Sequence, residues 1–319
     1  MREVVAGIDI GGTNIVFGLV DRHGEIVAHD TLVTTEYPVF DDYVEAQSKA
    51  LKKLLSQNSD LKLLSVGIGA PNANYYKGTI ELAPNLLWKG IVPLGNSIGK
   101  STGVPVAVTN DANAAAVGEL VFGGGKEMKD FIVLTLGTGL GSGIVINRQV
   151  VYGHSGFAGE LGHMTVVPGG RMCGCGLRGH LETYASATGL VRTVLELLSI
   201  MREDSPLRNV PPSEITSRMI AEYAAANDSV AVKAIEYTAE MLGFGIVNSI
   251  IFSSPEAVFL FGGLAQAGEM LFKPVRDYVE KNLMPVFRGT CTILPSAIPS
   301  NNAAVLGAAA LAWNELDNT

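Results

Sequence analysis

The sequence has few cysteines, a deficit of positive charge and no long apolar segment. Only 3 of its 319 residues are cysteine, an odd number that does not suit a disulfide framework. Lys and Arg number 23 against 31 Asp and Glu, and the net charge of −8 argues against a nucleic-acid-binding surface. The charge-free stretch 289–314 contains an apolar segment of only eleven residues, Ala303–Trp313, which is too short to cross a bilayer.

The beginning of the chain also lacks the pattern of a secretory signal peptide, because the apolar run Val4–Ile8 stops at Asp9. These absences predict a cytoplasmic protein that binds neither nucleic acid nor membranes. The length predicts about two domains, and a hydrophobic content of 47% is enough for a core in each. Glycine is abundant, at 37 residues, which predicts tight turns or backbone that approaches a ligand closely.

Two segments repeat one pattern of strand, glycine turn and strand. The first opens the chain as VVAGIDI-GGTN-IVFGLVD, and the second is FIVLTL-GTGLGSG-IVINRQVVY. A shift of 125 residues superposes Gly12 on Gly137 and Thr13 on Thr138. The repeat predicts two related domains that each open with a β-meander. Coincidence remains the alternative, because glycine turns between strands are common.

The rest of the chain alternates between strand and helix patterns, which predicts an α/β protein. We expect an N-terminal domain of residues 1–115 plus about 303–319, and a larger C-terminal domain of residues 116–302. The supporting segments are helical spacing at Asp41–Leu55, strands in LLSVGIGAP, VPVAVTND and AVFLFGG, a helix in ANAAAVGEL, helix-rich regions at Leu181–Met201 and Ser213–Ile250, and an alanine-rich helix at Ala303–Trp313.

Three glycine turns follow predicted strands, and together they predict a nucleotide-binding site. The first lacks the lysine of a P-loop, and a strand rather than a helix follows it, which excludes the Rossmann fingerprint. A hairpin tip of this kind offers backbone N–H groups to phosphate oxygens, and a preceding aspartate could hold Mg²⁺ through water. Tight turns without a ligand are the alternative. The candidate residues are Asp9, Gly11, Gly12, Thr13 and Asn14, then Thr135, Gly137, Thr138 and Gly139, then Gly262 and Gly263 for the adenosine.

Five motifs in order resemble the ROK family of repressors and sugar kinases over essentially the whole chain. They are DIGGTN, TNDANAAAVGE, LTLGTGLGSGIV, GFAGELGHM and CGCGLRGHLE. The resemblance implies an actin-like ATPase (ribonuclease H-like) fold of two similar α/β domains with a cleft between them. It also implies ATP, Mg²⁺ and a homo-oligomer, either a homodimer or a tetramer. One departure is Asn14, where many members carry a lysine, which removes a cation near the phosphates.

The resemblance also assigns the residues that receive the sugar. Asp111 matches the general base that accepts a proton from the sugar hydroxyl, although an aspartate before a helix is ordinarily an N-cap. The other matched sugar contacts are Asn110, Glu160, His163 and Glu182, with Gly69 and Asn85 in loops that line the same site. Trp88 is a candidate for stacking on the sugar ring, with a place in the core or in a lid as the alternatives.

A possible zinc site follows the spacing H-x₉-C-x-C-x₄-H, formed by His163, Cys173, Cys175 and His180. The spacing alone leaves open two buried thiols and a surface histidine. In the resembling kinases the four matching positions bind structural zinc through one histidine and three cysteines. Here His180 replaces the last cysteine, which implies either zinc with altered affinity or a weakened site.

The resemblance implies ATP-dependent phosphorylation of a hexose at its 6-hydroxyl, and the motifs are most similar to those of the family's glucose kinases. Kinases for N-acetylglucosamine or N-acetylmannosamine share the same residue set and are the first alternative. A sugar-responsive transcriptional repressor is the second, and the position of the first glycine turn at residue 9 and the acidic charge argue against it. An ATPase acting on protein clients would leave Glu160 and the cysteine cluster without a role.

Overall fold

The computed structural model describes residues 1–299 and 302–318 of the chain. The chain divides into two compact units, which we call unit 1 (Met1–Lys129, Gly143–Gly159 and Ser296–Thr319) and unit 2 (Asp130–Ser142 and Glu160–Pro295). The domain limits expected from the sequence, 1–115 plus 303–319 and 116–302, stay a prediction. Within those limits, residues 300, 301 and 319 lie outside the described residues.

The described residues form an alternating series of strands and helices, as the sequence predicts. The strands are β1 (Arg2–Ile10), β2 (Asn14–Val20), β3 (Ile26–Val33), β4 (Leu61–Gly69), β5 (Ala73–Asn74), β6 (Thr79–Glu81), β7 (Ile91–Val92), β8 (Val106–Thr109), β9 (Phe131–Leu136), β10 (Leu140–Ile146), β11 (Gln149–Val150), β12 (Ala257–Phe261) and β13 (Thr292–Pro295). The helices are α1 (Phe40–Gln57), α2 (Leu94–Thr102), α3 (Asp111–Val121), α4 (Ala187–Ile200), α5 (Ser217–Ala225), α6 (Ser229–Ser253), α7 (Glu269–Asn282) and α8 (Ala303–Asp317).

Two five-stranded sheets share one strand order. The first is β3-β2-β1-β4-β8 and the second is β11-β10-β9-β12-β13. In the first, β1, β2 and β3 pair antiparallel, and β4 and β8 continue parallel to β1. In the second, β12 pairs parallel with both β9 and β13. The 125-residue repeat in the sequence therefore corresponds to a repeated topology, with β9 and β10 in the places of β1 and β2.

Helix α8 packs on the first sheet at two glycines. A Cβ atom at Gly7 of β1 would lie 2.2 Å from the carbonyl oxygen of Val305, and one at Gly67 of β4 would lie 1.8 Å from that of Ala308. Neither glycine has a positive φ, so the requirement is space rather than backbone conformation. The small residues of α8 allow the same close approach, since Ala308–Ala312 is fully buried. The C-terminal helix predicted from the alanine-rich segment is therefore confirmed, and it extends to Asp317.

The helix predictions hold elsewhere with small shifts at the ends. Helix α1 covers the predicted Asp41–Leu55 and one or two residues on either side. The helix-rich region that begins at Leu181 starts with a 3₁₀ turn, Leu181–Thr183, and becomes α-helical only at Ala187. Within residues 1–299 and 302–318, no helix combines the length and apolar character that a membrane crossing needs.

Candidate active site

The first glycine turn joins β1 to β2, and a buried threonine fixes its shape. The N–H of Gly11 donates to the carbonyl of Asn14 at 2.9 Å, which closes the turn. Thr34 donates its hydroxyl proton to the carbonyl of Gly11 at 2.7 Å and its N–H to the carbonyl of Thr13 at 2.9 Å. Thr34 is fully buried, whereas Thr13 and Asn14 are exposed. The sequence gives no local signal for Thr34, because it lies in the 3₁₀ turn that follows β3, 23 residues after Gly11.

Gly12 brings the first turn against the loop that carries Asn85. A Cβ atom at Gly12 would lie 2.7 Å from the carbonyl oxygen of Asn85, so only glycine allows this approach. Both residues belong to unit 1. One predicted phosphate residue and one predicted sugar residue are therefore in contact.

Asp9, Gly69 and Asp111 come together at the carboxyl ends of neighbouring strands in unit 1. A Cβ atom at Gly69 would lie 3.5 Å from Oδ1 of Asp9 and 3.7 Å from Cα of Asp111. Burial, and then repulsion by the Asp111 carboxylate, raise the pKa of Asp9 to about 7. Asp111 keeps accessible surface, yet the surrounding protein removes enough water to raise the pKa of its carboxyl as well. Two repelling carboxylates are an arrangement that a divalent cation would stabilise.

The N-cap of α3 is Asn110 and not Asp111. The side-chain oxygen of Asn110 accepts from the N–H of Asn113 at 2.7 Å, while Asp111 is the first helical residue and its Oδ1 accepts from the N–H of Ala112 at 2.9 Å. The N-cap role that the sequence left open for Asp111 therefore belongs to Asn110. The carboxylate of Asp111 has the exposed position that a proton acceptor needs.

The second glycine turn, between β9 and β10, is held by the start of α4. Ala187 donates its N–H to the carbonyl of Gly137 at 2.9 Å, and Thr188 donates its hydroxyl proton to the carbonyl of Thr138 at 2.7 Å. Gly137 and Thr138 are exposed, and nothing lies within 4 Å of a Cβ atom built at Gly137. The turn thus has a fixed backbone and an open outer face, which suits an oxyanion ligand.

Gly262, the first residue of the predicted adenosine turn, lies against the second glycine turn. Its φ of +105° needs glycine, and a Cβ atom there would lie 2.6 Å from the carbonyl oxygen of Leu136. Gly263 is open, with nothing within 4 Å of a Cβ atom built on it. Unit 2 therefore places two of the three predicted nucleotide turns side by side.

His163, Cys173, Cys175 and His180 form a compact cluster whose ligand atoms all lie within 4.8 Å of one another. The Nδ1 atoms of His163 and His180 are 3.2 Å apart, Cys173 Sγ lies 3.7 Å from His163 Nδ1, and Cys175 Sγ lies 3.4 Å from His180 Nδ1. Tetrahedral zinc holds nitrogen and sulfur ligands about 3.3 to 3.8 Å apart, as follows from its bond lengths. These three distances lie at or close to that range, and the donor set of two imidazoles and two thiols is one that zinc accepts.

The two carboxylates assigned to the sugar lie beside this cluster. Oε2 of Glu160 is 4.0 Å from Nε2 of His163, the ring nitrogen that faces away from the other three ligands. The Cys173 thiol donates to Oε1 of Glu182 at 2.9 Å, and burial and then this hydrogen bond raise the pKa of Cys173. The imidazole of His163 therefore directs Nδ1 toward the other cluster residues and Nε2 toward the carboxylate of Glu160.

Trp88 belongs to the core of unit 1 and not to the site. It is 4% exposed, stacks on Tyr43 with ring centroids 4.5 Å apart, and donates its indole N–H to the carbonyl of Tyr37 at 2.9 Å. The alternative that the sequence raised for this tryptophan, a place in the core, is confirmed.

Two sheets with one strand order, each with a glycine turn after its first strand, have the topology of an actin-like ATPase (ribonuclease H-like) fold, and the solved relatives share this fold. The expected fold class is confirmed. Comparison with protein families matches residues 5–315 to the ROK family. The chain belongs to the ROK family.

Individual relatives include both enzymes and repressors. The chain is 36% identical over 286 residues to a glucokinase of Halalkalibacterium halodurans, and the match covers 88% of this chain and 86% of the relative. It superposes with a TM-score of 0.81 and 34% identity on a ROK family glucokinase from Streptomyces griseus in complex with glucose and AMPPNP, covering 98% of this chain and 99% of that one. It is 32% identical over 282 residues to a xylose repressor of Caldicellulosiruptor bescii, covering 87% of this chain but 70% of the repressor.

Proposed function

We propose that this protein is a hexose kinase that transfers the γ-phosphoryl group of ATP to the 6-hydroxyl of glucose. The observation that carries the proposal is the position of Asp111, an accessible carboxylate at the first turn of α3 with a raised pKa and Asp9 close by. The similarity to glucokinases over most of both chains supports glucose as the acceptor, and the relative that was solved with glucose and AMPPNP supports ATP as the donor.

Phosphoryl transfer depends mainly on positioning and on the neutralisation of charge. In the proposed reaction Asp111 accepts the proton of the attacking sugar hydroxyl. A carboxyl whose pKa is raised is a stronger base once ionised, so desolvation favours this step. Asn110 has its oxygen committed to the helix cap, which leaves its NH₂ group to donate to the sugar.

Asp9 would hold Mg²⁺, and the ion would neutralise charge on the transferring phosphoryl group. The two glycine turns, Gly11–Thr13 and Gly137–Gly139, would bind phosphate oxygens through backbone N–H groups. Phosphate binding by backbone N–H groups does not depend on a cationic side chain at position 14, where this chain has the exposed Asn14. Gly262 and Gly263 would lie under the adenosine.

The cluster of His163, Cys173, Cys175 and His180 would bind a structural zinc ion. Its role would be to fix the ring of His163 and the segment of Glu182, which with Glu160 would accept hydrogen bonds from sugar hydroxyls. Gly69 and Asn85 would line the sugar beside Asp111. We also propose that the protein works in the cytoplasm as a homo-oligomer, a dimer or a tetramer, as the resemblance implies.

The decisive experiment measures ADP release with ATP, Mg²⁺ and a panel of about ten hexoses and N-acetylhexosamines, for the wild type and Asp111→Asn. We expect glucose to give the highest kcat/KM, and Asp111→Asn to abolish transfer while glucose affinity, measured by calorimetry, changes only a few-fold. Asp41→Asn is the matched control, since Asp41 also lies in the first turn of a helix. Turnover by Asp111→Asn at the control's rate would remove Asp111 from the role of base.

The similarity to xylose repressors is the observation that favours a second function, sugar-dependent binding to DNA. The same preparation would then shift a promoter fragment in a gel and release it when sugar is added. We expect no shift, because the net charge is −8 and DNA binding depends on basic contacts to phosphates. A preference for N-acetylmannosamine or N-acetylglucosamine over glucose in the panel would instead identify an N-acetylhexosamine kinase.

A further inference from the structure

Arg171 lies in the loop between His163 and Cys173, and its side chain is only 10% exposed. The guanidinium uses every donor that it has. Nε and Nη2 bind the two carboxylate oxygens of Glu196 as a fork, and Nη2 also donates to the hydroxyl of Thr193 at 3.0 Å. Nη1 donates to the carbonyls of Thr183 at 2.8 Å and Gly189 at 3.2 Å.

These contacts join three segments of unit 2. Thr183 follows Glu182 directly, Gly189, Thr193 and Glu196 belong to α4, and Arg171 itself belongs to the loop of the cysteines. The guanidinium also lies over the ring of Tyr184, 4.6 Å from its centroid. Because all five N–H donors of the planar guanidinium are engaged, its orientation is fixed and the group connects all three segments at once.

The segment of Glu182 is also held by its own backbone. Leu181 donates its N–H to the carbonyl of Met164 at 2.9 Å, and Thr183 donates its N–H and its hydroxyl proton to the carbonyl of His180 at 3.0 and 2.7 Å. Ser186 donates its hydroxyl proton to the carbonyl of Glu182, and the Cys173 thiol contacts the carboxylate. None of these groups binds the carbonyl of Thr183, which is the atom that Arg171 binds. The start of α4, by contrast, has its own cap, since the hydroxyl of Ser186 accepts from the N–H of Gly189 at 3.0 Å. The second glycine turn, which α4 holds, therefore does not depend on Arg171.

We propose that Arg171 is a positioning residue for the sugar, because its guanidinium fixes the backbone that presents the carboxylate of Glu182. The inference rests on the proposed function, in which Glu182 contacts glucose. Arg171 itself does not contact the substrate. Its loss leaves the carbonyl of Thr183, next to Glu182, without its partner and weakens glucose binding, while the phosphate turns and the zinc ligands keep their places.

The test compares Arg171→Ala with Arg192→Ala. Arg192 is a matched control, since it is an exposed residue of α4 whose guanidinium donates to the carbonyl of Met172 at 2.8 Å, in the same loop but away from Glu182. We expect Arg171→Ala to raise the KM for glucose about tenfold or more, as the loss of hydrogen bonds to a charged group implies. The KM for ATP and the zinc content stay at the wild-type values in both variants.

Millimolar guanidinium chloride, far below denaturing concentrations, provides a readout that a general loss of stability would not show. It should bind the space left in Arg171→Ala and lower the KM for glucose toward the wild-type value, while the same concentration of sodium chloride does not. If Arg171→Ala is insoluble, Arg171→Lys carries the same comparison, because a lysine cannot form the fork or reach both carbonyls.

Equal glucose KM values in Arg171→Ala and Arg192→Ala would overturn the inference. So would a loss of zinc from Arg171→Ala, which would assign Arg171 to metal retention instead. A wild-type protein that phosphorylates none of the sugars would overturn the proposed function and this inference with it. A glucose KM that rises only in the Arg171 variant, with recovery in guanidinium, supports it.

Discussion

Gly139 of the second glycine turn packs directly on Glu182, so that a Cβ atom at position 139 would lie 2.7 Å from Oε2 of that carboxylate. Both residues belong to unit 2. A residue assigned to the phosphates and one assigned to the sugar therefore share a contact surface, as Gly12 and Asn85 do in unit 1.

This contact predicts the effect of Gly139→Ala. The added methyl group must push the Glu182 carboxylate aside, so we expect the KM for glucose to rise about tenfold, with a smaller change in the KM for ATP. Gly137→Ala is the comparison, because nothing lies within 4 Å of its Cβ atom, and its only new contacts would be with bound nucleotide. Steady-state kinetics with each substrate varied in turn gives both values. A glucose KM that responds equally to both substitutions would contradict the assignment of Glu182.

The raised pKa values of Asp9 and Asp111 predict a pH-dependent stability. A carboxyl whose pKa is higher in the folded than in the unfolded state favours folding at low pH, and this stability is lost as the pH rises through the folded value. For Asp9 the window runs from its ordinary value to about 7. Asp111→Asn removes one of the two repelling charges, so in metal-free buffer at pH 8 its Tm should exceed that of the wild type by about 2 °C or more.

The advantage of Asp111→Asn should shrink at pH 5, because Asp9 is then protonated in the wild type and no longer repels the Asp111 carboxylate. Thermal unfolding at several pH values checks the sign, and carboxyl ¹³C titration checks the cause, since the pKa of Asp9 should fall when Asp111 is neutral. A variant that is less stable than the wild type at pH 8 would show that the two carboxyls do not repel each other in the folded protein.

The cluster of two histidines and two cysteines predicts one zinc ion per chain. Elemental analysis of the purified protein should find it, and Cys175→Ser should lose it together with much of the glucose affinity, because His163 and the Glu182 segment lose a common anchor. His180→Cys supplies the third thiolate of the resembling kinases and should retain the metal against a stronger chelator. Cys291→Ser is the control, since Cys291 lies outside the cluster. Full zinc in Cys175→Ser would disprove the ligand set.

The packing of α8 on β4 predicts a large loss of stability for Gly67→Ala. A Cβ atom there would lie 1.8 Å from the carbonyl oxygen of Ala308, so the helix must move away from the sheet. We expect a cost of about 3 kcal/mol or more in the free energy of unfolding. Gly99→Ala is the control, because its Cβ atom would meet only ordinary contacts at 3.5 Å inside helix α2, where alanine is favoured by about 1 kcal/mol. Urea unfolding of both variants measures the difference.

Much of this protein could be predicted because its candidate functional residues either directly follow a strand or occur at a fixed spacing in the sequence. The two glycine turns, Asp111 and the four residues of the cluster are local patterns. The structure has a turn after β1 and after β9, Asp111 at the start of α3 and the four ligand atoms of the cluster within 4.8 Å of one another, while the roles of these residues stay predictions. The repeat in the sequence even indicates the equivalence of β1 with β9, because a strand followed by a glycine turn is short enough to read directly.

The residues that hold these patterns in place could not be predicted. Thr34, Arg171 and Thr188 each donate to a backbone carbonyl that lies 12 to 50 residues away in the sequence. Every residue has a backbone carbonyl, so the sequence does not indicate which one is bound. Gly7 and Gly67 look like ordinary strand glycines, since their partner helix lies at the far end of the chain. The N-cap of α3 was ambiguous because Asn110 and Asp111 are adjacent and both suit the role.

The place of α8 has a consequence for how the protein is made. Strands β1 and β4 leave the ribosome long before α8, the helix that covers their glycines. The part of the sheet that α8 covers therefore stays exposed until α8 itself has been translated. A nonsense mutation or a proteolytic cut that removes α8 would for this reason uncover the glycines of the sheet that bears Asp9, although α8 lies far from β1 along the chain.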